Sequence, residues 1–208
     1  MSWQSVAAAD VAPQPWKSGG GLTRELLAWP TREDWRVRIS VADVTANGPF
    51  SCFDGVQRWF AVLQGAGVRL TVDGQLFDLR RSSPAFSFDG AAATECQLID
   101  GPTQDFNLML RDARGCLRRI GGTMQARPDA ASLIAVYAIS ATATAQFGRA
   151  FGGACGGACG GTFDGTFDGA ERLVARGELL WARVDALQLV TLHADDALWM
   201  EIQLEPRI

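Results

Sequence analysis

The feature that most constrains this chain is an alternation of apolar and polar residues that recurs along its length and is interrupted at short intervals by turn residues. Within residues 35–40, for example, Val37 and Ile39 fall on one face of a strand, and the arginines beside them fall on the other. The Asp73-Gly74 pair between two such segments is a hairpin signal. No segment sustains the 3.6-residue period of a helix, although residues 22–29 fit a short helix or a strand equally well. The pattern predicts an all-β chain with antiparallel strands.

Segments with this alternation lie on both sides of a Gly- and Arg-rich break near residues 111–130. The two sides resemble each other loosely, since residues 105–110 and 196–204 each close a block of hairpins. Two stacked β-barrels would explain this similarity, with residues 1–118 in the first and residues 119–208 in the second. The predicted strands are residues 35–40, 58–64, 68–72, 75–79, 85–88, 95–99, 105–111, 133–139, 171–175, 179–184, 187–192 and 198–204.

Composition narrows the classes of function. The chain has 208 residues and a net charge of −4, and a weakly acidic chain has no overall field that attracts a phosphate backbone, so we expect no nucleic-acid partner. The N-terminus lacks the pattern of a signal peptide, and the most apolar stretch, residues 133–139, is too short to span a bilayer, so we expect no membrane partner. The odd number of cysteines, five, indicates a reducing compartment, and we expect a cytoplasmic location.

Residues 152–169 form a low-complexity segment in which a Gly-Gly-Ala-Cys motif and a Thr-Phe-Asp-Gly motif each occur twice. Gly-rich sequence has little apolar surface to bury, so we expect a flexible surface loop within the second half. Phe163 and Phe167 could anchor this loop.

The first candidate site is residues 16–25, which read Trp-Lys-Ser-Gly-Gly-Gly-Leu-Thr-Arg-Glu. The three glycines can adopt positive φ and expose successive backbone N–H groups to an anion, and Lys17, Thr23 and Arg24 add donors. The segment is not a P-loop, because the lysine precedes the glycines, and it lacks the strand and helix that flank a dinucleotide-binding fingerprint. From the spacing alone, a plain turn and a ligand-binding loop both remain open.

The second candidate site consists of polar side chains that share an orientation on three predicted strands: Arg36 and Arg38; Arg58; and Asp105, Asn107 and Arg111. On the inner face of a barrel these side chains would line a pocket, and a buried arginine there would need a carboxylate partner or an anionic ligand. On the outer face they would contact solvent. The pattern alone favours neither alternative.

A metal site is the least supported candidate. His193 is the only histidine, whereas zinc and iron sites normally use two or three His or Cys ligands at defined spacing. Cys155 and Cys159 lie in the Gly-rich segment with no histidine nearby, and the other cysteines are isolated. We therefore expect no metal, no cofactor and no catalytic triad that depends on histidine.

Four ordered blocks of the sequence resemble the HutD/Ves family. Residues 15–25 resemble its signature, W-[KR]-N-G-G-G-x-T-R-E, residues 35–42 and 47–58 resemble its next two blocks, and residues 105–109 resemble its D-F-N-x-M block. The second half of the chain matches through its strand pattern only. The sequence departs from the family at Ser18, where Asn is usual, at Asp54, where Pro is frequent, and at Asp89-Gly90, where the usual order is Gly-Asp.

The resemblance implies a cupin-like double barrel, or bicupin, and an association with histidine catabolism through the binding of a pathway intermediate or small carboxylate. It further implies a pocket at the mouth of the first barrel, in which Arg24 and Arg58 would balance Glu25 and Asp105. Carried over residue by residue, the ligand-binding set is Trp16, Lys17, Gly20, Thr23, Arg24, Glu25, Arg58, Asp105 and Asn107.

We therefore expect a protein that binds a small anionic metabolite, such as urocanate or formylglutamate, and needs no metal. One alternative is a metal-free isomerase or lyase that uses Glu25 or Asp105 as a base, and in that case the base would need a raised pKa. The other alternative is a regulatory module that acts through a protein partner. An exposed sheet edge could also support a homodimer.

Overall fold

The computed structural model describes residues 2–17, 19–140, 142–147 and 171–206, and the fold that it shows is all-β. Every strand pair among these residues is antiparallel, and the predicted fold class is confirmed. The segment that fitted a helix or a strand equally well is a strand, Gly21–Trp29. Apart from the strands, the described residues contain one 3-10 turn, Ala8–Asp10, and no helix long and apolar enough to cross a membrane.

The strands, in chain order, are β1 (Gln4–Ala7), β2 (Gln14–Pro15), β3 (Gly21–Trp29), β4 (Val37–Val44), β5 (Gly48–Pro49), β6 (Val56–Gln64), β7 (Val68–Val72), β8 (Gln75–Leu79), β9 (Phe86–Asp89), β10 (Thr94–Leu98), β11 (Thr103–Arg111), β12 (Ala113–Ala126), β13 (Ser132–Ala138), β14 (Ala143–Phe147), β15 (Arg172–Val174), β16 (Glu178–Val184) and β17 (Val190–Leu204).

These strands form three sheets. The first half of the chain supplies a six-stranded sheet in the order β2-β3-β4-β11-β6-β9 and a four-stranded sheet in the order β5-β10-β7-β8. A seven-stranded sheet has the order β1-β16-β13-β17-β14-β15, and β12 also pairs with β17. The N-terminal strand β1 therefore joins the sheet that is otherwise built from the second half.

The six-stranded sheet is the central layer, because its two faces contribute to different hydrophobic clusters. One face, which includes Phe60 and Val62, packs with Leu70 and Cys96 of the four-stranded sheet. The other face, which includes residues such as Ile39, packs against the seven-stranded sheet. A third cluster lies entirely within the second-half strands, apart from the partly buried Trp3. The period of two in each strand thus separates its residues between two different environments.

Two predictions about the second half of the chain were wrong. The Gly- and Arg-rich break near residues 111–130 is mostly the strand β12, which pairs with β17 along its length through a register shift at Ile120/Gly122. The two strands predicted at residues 187–192 and 198–204 belong to one strand, β17, in which the Asp196 side chain forms an ion pair with Arg119 of β12. Leu187 precedes this strand, in a turn with positive φ.

The division into barrels of residues 1–118 and 119–208 stays a prediction, and β12 runs across the proposed boundary. The low-complexity segment at residues 152–169, with Phe163, Phe167, Cys155 and Cys159, lies outside the described residues, as does Ser18.

Candidate functional site

A cavity of about 630 Å³ opens on the face of the six-stranded sheet that is turned toward the four-stranded sheet. We call it the aromatic cavity, because Trp16, Phe50, Phe53 and Phe60 form much of its wall. Its other lining residues are Lys17, Thr23, Arg38, Ser40, Ala42, Val44, Pro49, Ser51, Arg58, Asn107 and Met109. A cavity of this size, apolar with a few convergent polar groups, is the usual form of a small-molecule site.

The register of three strands sets the polar wall of the aromatic cavity. Met109 on β11 pairs with Arg38 on β4 and with Arg58 on β6, so the two arginines flank one methionine in a single row. Asn107 pairs with Ser40 and Phe60 in the next row along the same face. Because side chains two residues apart on a strand share a face, this register turns both rows toward the cavity.

Arg58 is the most deeply placed charge of the aromatic cavity, with 6% of its surface exposed. The carbon at the centre of its guanidinium lies 4.9 Å from the ring centroid of Phe88, 5.2 Å from that of Phe50 and 5.8 Å from that of Phe53. Its Nη2 donates to Asn107 Oδ1 at 3.1 Å and its Nη1 donates to the Ser51 carbonyl at 3.4 Å. The aromatic rings cover the guanidinium and both hydrogen-bond acceptors are neutral, so the contacts that the described residues make with this charge are cation–π and polar ones.

Among the ion pairs that the described residues make, none includes Arg58. Its Nε is buried and has no hydrogen-bond partner. Burial, together with the nearby positive charge of Arg38, lowers the pKa of Arg58 to about 10. The side chain is still protonated at neutral pH, so the cavity wall contains a buried cation that no carboxylate among the described residues neutralises.

The other charges around the aromatic cavity add positive charge. Arg38 donates from Nε to Glu25 Oε2 at 2.7 Å, and Arg32 donates from Nε to the other oxygen of Glu25 at 2.8 Å. Glu25 is therefore held between these two arginines and does not reach Arg58. Lys17, an exposed residue, also lines the cavity. The lining residues Lys17, Arg38 and Arg58 are all cationic, and no carboxylate lies among them.

Gly19 and Gly20 lie between β2 and β3 and Gly21 begins β3, and of these three glycines only Gly19 has a positive φ, of 77°. The Gly19 N–H donates to the Trp16 carbonyl, and the Gly20 carbonyl accepts from the N–H groups of Thr45 and Ala46. At Gly21, an added Cβ would lie 2.5 Å from the Asp43 carbonyl oxygen. Close packing therefore explains the third glycine, and the hydrogen bonds of the first two are made within the protein.

Trp16 and Thr23 form the edge of the aromatic cavity nearest this turn. The indole Nε1 donates to Thr23 Oγ1 at 2.7 Å, which fixes the ring beside Phe50, with an edge-on geometry and 6.0 Å between centroids. Gly20 lies in a smaller adjoining cavity of about 180 Å³, which Trp16 and Phe50 also line.

The structure brings together Trp16, Lys17, Thr23, Arg58 and Asn107 of the predicted set. Glu25 lies behind Arg38, and Gly20 lies in the adjoining cavity. Arg24 points to the opposite face of the sheet, where its Nη1 donates to Asp43. The predicted balance of Arg24 and Arg58 by Glu25 and Asp105 was wrong, because Arg24 follows Thr23 directly and adjacent strand residues face opposite ways.

Asp105 lies on the same face of β11 as Asn107 but deeper, with none of its surface exposed. Its Oδ2 accepts from Thr103 Oγ1 at 2.8 Å, and its Oδ1 is buried without a partner. Burial raises the pKa of Asp105 to about 7, against a smaller lowering by the Thr103 hydrogen bond. Neither Asp105 nor Glu25, the two candidate bases, lines the aromatic cavity.

Ten residues that line the aromatic cavity are absent from the predicted ligand-binding set, namely Arg38, Ser40, Ala42, Val44, Pro49, Phe50, Ser51, Phe53, Phe60 and Met109. Arg38 was already named in the second candidate site, and the same alternation places Ser40 on its face of the strand. Phe50 and Phe53 had a weaker signal, since they lie outside a strand but within the block of residues 47–58 that ends at Arg58.

The remaining polar candidates lie elsewhere. Arg36 donates from Nη2 to the carbonyls of Asp112 and Glu205, and Arg111 lies over the Trp35 ring at 4.4 Å. His193 is on the exposed side of β17, with Nδ1 2.9 Å from Thr123 Oγ1. In the described part of the chain, no three His, Cys, Asp or Glu side chains are grouped as they would be around a metal ion.

The sequence of this chain is similar to those of several known proteins. The sequence profile of the family described as HutD matches residues 8–155. A Pseudomonas putida protein described as an uncharacterised 21.2 kDa protein in the hutC 3' region is 35% identical over 150 residues, which cover 70% of this chain and 79% of that protein. Protein Ves of Citrobacter koseri is 36% identical over 102 residues, which cover 48% of this chain and 53% of that relative.

Solved structures show the same arrangement of strands. HutD from Pseudomonas fluorescens SBW25, determined in a formate condition, superposes with a TM-score of 0.79 at 26% identity, and the match covers 99% of this chain and 100% of that one. A Lactobacillus farciminis oxalate decarboxylase in complex with formate has a TM-score of 0.64 at 7% identity, over 98% of this chain and 86% of that one. The second likeness concerns the fold alone, which is cupin-like.

Proposed function

This chain belongs to the HutD family, and from that premise we propose that it binds a small organic carboxylate in the aromatic cavity. The observation that carries the proposal is the buried guanidinium of Arg58, which has no carboxylate partner among the described residues. An anion that enters the cavity would supply the missing counter-charge. The protein cations provide that attraction directly, so the proposed binding needs no metal.

The energetics favour an anionic over a neutral ligand. A buried charge that has only neutral partners destabilises the empty protein, and a ligand carboxylate removes part of this penalty when it binds. Charge-assisted hydrogen bonds contribute roughly 1.5–3 kcal/mol each in net terms. Lys17 and Arg38 lie on the same cavity wall and add to the attraction.

The aromatic side chains of the cavity wall favour a ligand with a planar ring or chain. Phe50 lies 6.0 Å from both Trp16 and Phe60 between ring centroids, so three aromatic side chains form a connected surface. Flat unsaturated groups pack well against such surfaces. A conjugated acid such as urocanate combines one carboxylate with a planar ring, and formylglutamate is the less planar member of the same proposed ligand class.

The relatives support a place for this binding in histidine utilisation. The Pseudomonas putida relative is described by its position in the hutC 3' region, and we propose that this chain likewise acts in the regulation of histidine utilisation by sensing an acid of that pathway. A cytoplasmic location belongs to the same proposal. Cys52, Cys96 and Cys116 are free thiols, which suits a reducing compartment.

Isothermal titration calorimetry with urocanate and with its methyl ester tests the proposal. The acid is expected to bind with a saturable heat, and the ester is expected to bind at least about tenfold more weakly, since it lacks the charge that contacts Arg58. The variant Arg58→Gln keeps a polar side chain beside Asn107 but removes the charge, and we expect a similar loss.

Arg111→Gln is the matched control, because Arg111 lies over Trp35 and does not line the aromatic cavity. Its affinity for urocanate should equal that of the wild type. Equal binding of acid and ester, or full affinity in a folded Arg58→Gln protein, would refute the assignment of the site. Formate serves as a second probe, since it retains the carboxylate and lacks the ring.

A further inference from the structure

The residues Thr23 and Arg24 are neighbours in the chain but face two different cavities. Thr23 lines the aromatic cavity, whereas Arg24 lines a separate cleft of about 430 Å³. We call this second space the polar cleft. It lies between the six-stranded sheet, which supplies Arg24 and Asp43, and the seven-stranded sheet, which supplies Tyr137. Strand β3 therefore contributes to both spaces, and the proposed function accounts for only one of them.

The negative charge in the polar cleft is already engaged by the protein. Asp43 Oδ2 accepts from Arg24, and Asp43 Oδ1 accepts from Gln104 Nε2 at 2.9 Å. These two hydrogen bonds and the charge of Arg24 outweigh the effect of burial and hold the pKa of Asp43 below its usual value. Arg24 has five N–H donors and gives Asp43 a hydrogen bond from one nitrogen, so other donors on its guanidinium remain for a ligand.

A second arginine lies at the mouth of the polar cleft. Arg176 is exposed, and in the described part of the chain it makes no hydrogen bond or ion pair. Its backbone is held in place, because Gly177 donates its N–H to the Ala138 carbonyl at 2.8 Å and accepts from the Ala8 N–H at 2.8 Å. The turn thus presents this arginine to the cleft from a fixed position.

Both arginines interact electrostatically with Tyr137, which we describe as the floor of the polar cleft. Burial raises the pKa of the Tyr137 phenol, and the positive charges of Arg176 and Arg24 act in the opposite sense, so both guanidiniums are within electrostatic range of that hydroxyl. Among the described lining residues, two arginines face one aspartate, which leaves one positive charge in excess. Leu63 and Ile139 add apolar surface beside these charges.

We propose that the polar cleft is a second binding site, for a small organic monoanion whose carboxylate contacts Arg24 and Arg176 and whose short apolar body packs on Leu63 and Ile139. The site is distinct from the aromatic cavity, since the two spaces share no lining residue. It does not depend on the proposed function, and either site can fail without the other.

Tyr137 offers a direct probe, because it is the only tyrosine in the chain. Protein labelled with 3-fluorotyrosine would give a single protein ¹⁹F resonance from the floor of the polar cleft. Titration with isobutyrate should move that resonance saturably, and titration with isobutyramide, which has the same shape without the charge, should not. Arg176→Gln should weaken the isobutyrate response about fivefold or more, because the variant lacks a charge-assisted contact.

Two variants make the outcome unambiguous. Arg127→Gln removes another exposed arginine that does not line the cleft, and it should leave the response unchanged. Arg58→Gln disables the aromatic cavity and should leave the response unchanged as well. The proposal is overturned by the absence of a saturable shift, by an equal shift with isobutyramide, by an undiminished response in Arg176→Gln, or by a response that disappears in Arg58→Gln.

Discussion

Two strand faces, one in each half of the chain, carry different chemistry. On β4, the face toward the aromatic cavity carries Arg38 and Ser40, whereas one face of β13 in the second half carries Ile134 and Val136. The first face lines a space of about 630 Å³. The second is part of an apolar cluster that also includes Leu180, Leu192 and Trp199.

The contrast shows how one all-β fold can separate residues that stabilise it from residues that bind a ligand. A close-packed apolar cluster gains free energy from burial and tolerates little loss of volume. A cavity wall with an unpaired cation gives up part of that gain, and it persists only if the rest of the fold compensates. We therefore expect substitutions in the second-half cluster to affect folding, and substitutions in the aromatic cavity to affect binding.

The largest effect on stability should come from a substitution in the apolar cluster of the second half. Leu180 is fully buried there, and Leu180→Ala should lower the free energy of unfolding by about 2–5 kcal/mol, through lost burial and the void left behind. Urea denaturation followed by tryptophan fluorescence measures the change. Met109→Ala in the aromatic cavity is the counterpart and should cost clearly less, because its side chain already borders a space. Equal losses at the two positions would remove the contrast between the halves.

Asp105 should make the first half sensitive to pH. Because burial raises its folded pKa to about 7, the contribution of Asp105 to stability is fully present at low pH, below its unfolded pKa, and is lost as the pH rises through the folded value. Asp105→Asn cannot ionise, so it should be more stable than the wild type by up to about 3 kcal/mol at about pH 8, and the difference should shrink toward about pH 4.

Asp78→Asn is the control for this pH dependence. The hydrogen bond from Arg69 lowers the pKa of Asp78 on the protein surface. The Asp78→Asn variant should therefore be slightly less stable than the wild type at neutral pH, which is opposite in sign to the effect of Asp105→Asn. Denaturant titrations across the pH range give both curves. A pH-independent difference between Asp105→Asn and the wild type would contradict the assigned burial of a neutral carboxyl group.

Removal of the unpaired cation should have a smaller effect on stability. Arg58→Met replaces it with an apolar side chain. We expect the free energy of unfolding to fall by no more than about 1 kcal/mol, or to rise, because desolvation of the charge offsets its contacts with Asn107 and the phenylalanine rings. Carboxylate binding should be lost in the same variant. A loss of several kcal/mol would show that Arg58 is a structural residue.

A pair of serines gives the smallest and most closely matched comparison. Ser132 in the second half donates from Oγ to the Ala130 carbonyl at 2.9 Å, so Ser132→Ala should cost about 1 kcal/mol. Ser40 lines the aromatic cavity, and Ser40→Ala should change the stability by less than about 0.5 kcal/mol. Thermal unfolding of the two variants side by side is sufficient. A larger loss for Ser40→Ala would indicate that the cavity wall is part of the packed core.

The alternation in the sequence was sufficient to predict most strands of the first half, because each of them separates apolar from polar residues. It failed at β12, where Gly121, Gly122 and several arginines hide a strand that bends and pairs over a long distance. It also divided β17 into two strands on either side of Asp196, whose side chain forms an ion pair with Arg119. In both cases the information lies in the partner strand.

The candidate site was predicted in part for the same reason. Arg58 and Asn107 are assigned by resemblance and lie side by side, but their packing under the aromatic rings depends on a loop that alternation does not describe. The pairing of Arg24 with Asp43 depends on the register of β3 with β4, which a single sequence does not fix. The opposite orientation of Thr23 and Arg24 was the one part that the period of two could have given.

The most direct test of the account is a crystal structure of the protein soaked with 4-bromobenzoate, whose bromine gives an anomalous signal. We expect the ring against Phe50 and Trp16, with a carboxylate oxygen within about 3 Å of a guanidinium nitrogen of Arg58 or of the Asn107 amide. A molecule bound with its carboxylate turned away from Arg58, or a cavity that stays empty at saturating probe while Arg58 contacts a carboxylate of the protein itself, would contradict the account.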